Sequence, residues 1–308
     1  MGQVLVLGLI SGGIYALFAL GVVLVHRGTG VLTFANGEVG TAGLFLAAVL
    51  VSDLGLPWVV GALAAIAFAA LLGCLFELLV VRRMRASDPV AIAVATVGLG
   101  LFLLAGEFQL FGESPKELAG PVDGGVTIAG VIVTPTQIIG LALALVLGFG
   151  LQAALRRTDF GLGILAAAQD PSAVRLVGVP LSRISLTIWG AGAALAAIAS
   201  LLVEPTVGVF GPGYASELYV VGLAAAVVGG LNSLPGAVVG GVVLGVAESA
   251  ATRYLSDLGL SGLRYVVVMV VLLAVLLGRQ AWPEVKRRLA PPTPDAPGPP
   301  RQRAGAAA

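Results

Sequence analysis

The chain has 308 residues, 58% hydrophobic and 11% charged, with 17 Lys and Arg against 16 Asp and Glu for a net charge of +1. A mean hydropathy of +1.04 excludes an ordinary water-soluble domain, and so balanced a charge gives nucleic acid no electrostatic footing. The apolar stretches are continuous and span-length rather than short and alternating, which excludes a β-barrel and predicts an all-α, polytopic transmembrane helix bundle of about eight to nine membrane segments.

The first apolar segment covers residues 4–25. Met1 to Val6 has no basic n-region, and Gly8 to Val25 is too long and too rich in glycine for a cleaved signal, so it reads as a retained span. Thr33-Phe34-Ala35-Asn36-Gly37-Glu38 then interrupts the apolar pattern before segments at 39–52, 58–81 and 90–110. Arg82, Arg83 and Arg85 place the loop after the third segment in the cytoplasm. Phe111 to Pro135 carries Glu113, Glu117 and Asp123 against Lys116 alone and suits an external loop. Segment 136–155 leads back to a second arginine-rich loop with Arg156, Arg157, Arg175 and Arg183. Counting backwards sets His26 and Arg27 inside and Met1 outside if residues 39–52 cross; if Phe34 to Glu38 re-enters instead, the N-terminus changes side.

Within that second loop, Asp170 before Pro171 reads as an N-cap and first helical position. Ser172 to Val177 completes about two turns, and Gly178 followed by Pro180 stops the helix. Its apolar residues Ala173, Val174 and Val177 suit the groove of another protein or a fold-back onto this one. Segments 184–203, 217–230, 237–251 and 264–278 follow, interrupted at Gly229-Gly230-Leu231-Asn232-Ser233-Leu234-Pro235-Gly236. Arg279, Lys286, Arg287 and Arg288 fall inside. Residues 1–282 thus form one membrane domain with a cytoplasmic loop at about 156–183, and residues 283–308, rich in proline, read as a disordered cytoplasmic tail.

Little in the chain can carry bond chemistry. The only lysines are Lys116 and Lys286, so no GxxxxGK[ST] phosphate loop exists and any ATP hydrolysis belongs to a partner. Cys74 and His26 are each single of their kind, HExxH is absent, and neither a metal site nor a bound cofactor is indicated. The chain reads as no enzyme, with no catalytic residues. Carboxylates inside or at the ends of apolar segments are the informative residues, because each costs several kcal/mol unless it meets water, a partner or a proton: Glu38, Glu107, Glu204, Glu217 and Glu248. Glu77 reads as pairing with Arg82 or its neighbours at the cytoplasmic surface. Glu204 and Glu217 flank the break Gly208 to Tyr214 and read as an external rim, whereas Glu38 and Glu248 follow glycine-rich helix and suit either a polar cavity or a hydrogen bond to an adjacent helix. Gly8 and Gly12, Gly236 and Gly240, and Gly241 and Gly245 are spaced for close helix packing.

Three stretches, in this order and spacing, resemble the permease subunits of branched-chain amino-acid ABC importers of the LivH type. They are Gly12-Gly13-Ile14-Tyr15-Ala16-Leu17 leading to Phe34-Ala35-Asn36-Gly37-Glu38; Gly161 through Ala166-Ala167-Ala168-Gln169-Asp170 to Gly178-Val179; and Gly229-Gly230 through Ser233-Leu234-Pro235-Gly236-Ala237 to Gly240-Gly241 and Glu248. The resemblance implies a multi-pass protein of the cytoplasmic (plasma) membrane that moves a branched-chain amino acid or similar small polar solute. Its partners would be a second permease subunit, cytoplasmic ATP-binding subunits and an external substrate-binding protein. It further implies that Ala167, Asp170, Ala173 and Gly178 belong to the loop that docks on the ATPase. Phe34, Asn36, Gly37, Glu38 and Glu248 would lie along the translocation path. Asn36 stands where such permeases usually have His or Gln, Leu165 where a basic residue is common, and the proline-rich tail is outside the usual pattern. Two alternatives stay open at this level: a proton-coupled secondary transporter using Glu38 or Glu248, and an ABC permease for urea or short amides.

Overall fold

The computed structural model describes residues 1–84, 88–118, 120, 124–128, 130–169, 174, 180–255 and 262–289. Helix α1 (Gly2–Thr29) stops where Gly30 adopts a left-handed φ of +73° and returns its N–H to the His26 carbonyl. Helix α2 (Asn36–Ala48) runs on through a π-helical turn at Val49–Asp53, and α3 (Trp58–Phe76) through another at Glu77–Val81. Helix α4 (Pro89–Phe111) begins where the Asp88 side chain accepts the Val90 N–H at 2.9 Å and Pro89 takes the first position. Helix α5 (Pro135–Arg157) opens on a reciprocal capping box between Thr134 and Gln137. There follow α6 (Asp159–Gln169), α7 (Leu181–Val207), α8 (Tyr214–Gly229), α9 (Leu234–Leu255) and α10 (Leu263–Leu289).

Among the described residues six helices are long and apolar enough to cross a membrane, namely α1, α3 with its π turn, α4, α5, α7 over Leu181–Val203, and α9. Two shorter apolar helices, α8 and the Leu263–Gly278 part of α10, accompany them, so the bundle has the polytopic helical form that the composition demands. Three local features differ from the sequence reading. Helix α6 occupies part of the stretch read as loop. The external stretch contains a small antiparallel hairpin, β1 (Val126–Ile128) with β2 (Val131–Val133), paired Val126 to Val133 and Ile128 to Val131. Helix α10 continues past the expected boundary at 282 to Leu289. The chain divides into a unit of residues 1–272 and a second of 273–308, of which 273–289 are helical.

In lipid, apolar burial does not drive helices together, so close backbone contact must. Helix α1 is the most enclosed span, with 78% of its apolar window buried, whereas α4 and α5 bury only 17% and 22% and present the rest of their surface to lipid or to a partner. Helix α1 packs on α9 through glycine. A Cβ on Gly12 would lie 2.7 Å from Val242 Cα, one on Gly8 2.5 Å from Val246 Cα, and one on Gly241 2.6 Å from the Ala16 nitrogen; one on Gly245 would strike the Gly8 carbonyl. The second pair on α9 faces another neighbour: Gly236 meets the Gly229 carbonyl and Gly240 the Ala225 carbonyl, both on α8. Helix α9 therefore touches α1 along one side and α8 along another, both at distances only glycine permits.

Candidate translocation site

The arginine-rich loops converge on one end of the bundle. The Arg27 guanidinium donates to Gln152 Oε1 at 2.9 Å, tying the end of α1 to that of α5. A cavity of about 450 Å³ opens here, lined by His26, Arg27, Val31, Ala167, Ile184 and Asn232, among others. The positive-inside rule assigns this end to the cytoplasm. At the other end Lys116 pairs with Asp53 at 3.4 Å, and its backbone bridges to Phe210 in the break between α7 and α8.

From the cytoplasmic end the chain turns back into the bundle as irregular backbone, Gly30 to Ala35, with Val31, Thr33 and Ala35 buried. Irregular backbone is tolerated there because distant side chains satisfy it: Thr96 Oγ1 on α4 accepts the Phe34 N–H at 2.9 Å, and the Tyr219 hydroxyl on α8 donates to the Thr33 carbonyl. Helix α2 consequently begins at depth. The Asn36 amide nitrogen lies 3.7 Å from where a Cβ on Gly21 would stand. Gly21 is about 12 Å inward from the end of α1 at 1.5 Å per residue. The stretch Phe34 to Glu38 is therefore an entry into the membrane interior rather than a surface loop. From it α2 runs outward to Asp53, antiparallel to α1.

The first turn of α2 has no side-chain cap, and its first backbone bond is from the Val39 N–H to the Ala35 carbonyl. The N–H groups of Asn36, Gly37 and Glu38 thus point into the bundle interior with the positive end of the helix dipole. Asn36, only 4% exposed, accepts a hydrogen bond from Thr33 through Oδ1 while its Nδ2 donates to nothing. Phe34 is 41% exposed in these otherwise buried surroundings. Gly37 lets α8 approach, since a Cβ there would sit 2.6 Å from Ser216 Oγ. The Glu38 Oε1 accepts the Ser216 hydroxyl at 2.6 Å, and Thr41 Oγ1 accepts the Ala215 N–H at 3.0 Å, so the start of α8 is held on α2.

Glu248, on α9, lies in a different set of helices. Its carboxylate accepts the Tyr15 hydroxyl from α1 and the Arg264 Nε–H from α10, each at 2.5 Å, and both oxygens are engaged. The sequence reading missed Arg264 because it stands at the head of its segment, where an arginine passes for an interfacial residue. Gly229 to Gly236 forms a tight turn in which Ser233 Oγ accepts the Gly236 N–H at 3.0 Å, and Asn232 within it lines the cytoplasmic cavity. Ala167 is buried in α6 and lines the same cavity, whereas Asp170, the predicted N-cap, lies outside the described residues, as do Pro171, Ala173 and Gly178. Glu77 is fully buried, not at the surface where its sequence placed it. Glu217 is exposed at the start of α8. No group of three His, Cys, Asp or Glu that could hold a metal occurs among the described residues.

Comparison with known proteins gives this geometry a context. Residues 4–276 match the family model described as branched-chain amino acid transport system / permease component. The chain is 31% identical over 301 residues to the high-affinity branched-chain amino acid transport system permease protein BraD of Pseudomonas aeruginosa, covering 92% of this chain and 97% of that protein. It is 28% identical over 296 residues to the corresponding permease protein LivH of Escherichia coli K12, covering 91% and 95% respectively. It is also 27% identical to a probable branched-chain amino acid transport permease protein LivH of Methanocaldococcus jannaschii, over 90% of this chain and 91% of that one. No solved structure matches the chain.

Proposed function

The chain belongs to the family of permease components of branched-chain amino acid transport systems, and we propose from this that it carries branched-chain amino acids inward through the re-entrant segment that ends at α2. The observation that supports this path most is the uncapped start of α2 inside the bundle. Half-helix N-termini at depth receive anionic groups of a substrate, and here three N–H groups and the Asn36 amide form a donor set suited to a carboxylate. Phe34 supplies an apolar surface for a branched aliphatic side chain. Gly37 keeps α8 close enough to wall the path, and Glu38 borders it. Glu248 contributes by bracing α1, α9 and α10 through Tyr15 and Arg264.

Energy comes from outside the chain. A second permease, two cytoplasmic ATP-binding subunits and an external binding protein complete the importer, and the loop bearing Ala167, Asp170, Ala173 and Gly178 docks on an ATPase. Because Ala167 lines the cytoplasmic cavity beside the end of α1 and Asn232, a push on that loop bears on the inner mouth. Closure of the ATPases then rocks the helices between inward-open and outward-open arrangements, and the permease itself breaks no bond.

The test is uptake of radiolabelled leucine into proteoliposomes holding the chain with these companions. ATP should drive accumulation, and unlabelled valine and isoleucine should compete while urea and acetamide do not. Competition by urea in place of valine would overturn the substrate assignment.

A further inference from the structure

Helix α4 turns a buried stripe of Ile92, Thr96, Gly100 and Glu107 to the start of α2, where the Glu107 and Glu38 carboxyls share a hydrogen bond. Beside that stripe, between α4 and α3, a groove of about 430 Å³ opens, walled by Leu72, Leu75, Phe76 and Leu79 on α3 and its π turn and by Gly98 and Phe102 on α4. Every described residue that lines it is apolar. Its floor lies against the start of α2, since Leu72, Leu99 and Leu103 pack on the buried Ala35 and Val39.

Two properties say what fills this groove. The first is length. Leu72 to Val80 runs about 12 Å along α3 at 1.5 Å per residue, close to the ~15 Å of hydrocarbon that one leaflet contributes. The groove therefore starts at the cytoplasmic end and stops near the bilayer midplane, which is the reach of one acyl chain, whereas a spanning helix of a partner would cross the whole core. Nor are its walls those of a helix seam: α1 and α9 meet through glycine backbones, while the exposed side chains of Leu75, Leu79 and Phe102 rim this groove.

The second property is charge. Arg83 follows one turn beyond the groove, its N–H bonded to the Val80 carbonyl, and Arg82 stands next to it. Both side chains are exposed, and neither makes an ion pair among the described residues. Of the acids next to them in sequence, Glu77 is fully buried and Asp88 accepts the Val90 N–H as the cap of α4. The positive-inside rule explains arginines at this end of the bundle, but not a leaflet-deep apolar groove that leads up to them.

We infer that the groove is a binding site for an anionic phospholipid of the cytoplasmic leaflet, with one acyl chain between α3 and α4 and the phosphate on Arg82 and Arg83. Such a site depends on no particular solute. One layer of side chains separates the acyl chain from Ala35 and Val39, so an occupied groove braces α4, only 17% buried, against the start of α2.

Native mass spectrometry of the purified chain provides the test, with dioleoyl phosphatidylglycerol and dioleoyl phosphatidylcholine offered in detergent. Two arginines at roughly fivefold each should give the wild type a preference of about thirtyfold for one phosphatidylglycerol over phosphatidylcholine. Arg82→Gln with Arg83→Gln should remove that preference, whereas Arg156→Gln with Arg157→Gln, which takes the same charge from the end of α5, should keep it. Gly98→Leu fills the groove without a clash, since nothing lies within 4 Å of a Cβ there. It should melt like wild type in detergent without added lipid, yet bind phosphatidylglycerol at least tenfold more weakly. No preference in the wild type, equal losses from the two arginine pairs, or binding unaltered by Gly98→Leu overturns the site. So does loss of the bound lipid when the companion permease is added, because a helix of that subunit then occupies the groove.

Discussion

Replacing Gly241 with alanine tests how the bundle is held together. A Cβ there would lie 2.6 Å from the Ala16 nitrogen and 2.7 Å from the Gly12 carbonyl oxygen, both backbone atoms that no rotamer change can move. Carbon contacts settle near 3.5 to 4 Å, so α1 and α9 must part by about 1 Å, which loosens the neighbouring approaches of Gly8 and Gly12 as well. Overpacking of this kind costs about 1 to 3 kcal/mol, and the better helix propensity of alanine returns up to about 1 kcal/mol. The net loss of about 1 to 2 kcal/mol corresponds to a melting temperature lower by about 2 to 6 °C for a chain of this size. Gly98 on α4 is the control: nothing lies within 4 Å of a Cβ there, so Gly98→Ala should leave stability unchanged or slightly raised. Thermal unfolding of the purified protein in detergent reads both. If Gly241→Ala melts with Gly98→Ala, the glycine seam does not hold α1 against α9.

Asn36→Asp should impair transport. A carboxylate at the first turn of α2 gains about 0.5 to 1 kcal/mol from the helix dipole, less than the several kcal/mol that burying an unpaired charge there costs, so the variant should also be less stable. It also repels a substrate carboxylate by about 4 kcal/mol at 4 Å and an effective dielectric of 20, so leucine uptake should fall at least a hundredfold; retained uptake would remove the start of α2 from the path. Glu248→Gln leaves Arg264 without its partner and should cost about 1 to 3 kcal/mol, partly recovered when Arg264→Gln is added, as a double-mutant cycle in detergent would measure. Gly178→Val, at the helix stop that the sequence predicts and that β-branched residues resist, should leave membrane insertion intact while ATP hydrolysis proceeds without uptake. Unaltered uptake in that variant would detach the loop from coupling.

The spans were legible because lipid accepts only continuous apolar helix, and the break from Gly208 to Tyr214 was legible as punctuation. Helix α6 was not, since Asp159 to Gln169 is short and set among glycine and alanine that serve a loop equally well. The entry of Gly30 to Ala35 into the bundle was legible only as one of two alternatives, from the break in the apolar pattern at Thr33 to Glu38. Its backbone groups are satisfied by Thr96 and Tyr219, 62 and 186 positions away, so the sequence alone could not choose between it and a surface loop. Glu38 announced itself as a carboxylate in an apolar setting, but its neighbour Glu107 is brought beside it only by the packing of α4 on α2. Glu248 looked equivalent in sequence and differs in structure, because Tyr15 and Arg264 occupy both of its oxygens.

The source of the driving energy is the most direct test. Vesicles bearing the purified chain alone, given a proton or sodium gradient and no ATP, should accumulate no leucine, whereas the same vesicles completed with the companion permease, ATP-binding subunits and binding protein should accumulate it when ATP is supplied. Uphill leucine movement by the lone chain on an ion gradient would contradict the account.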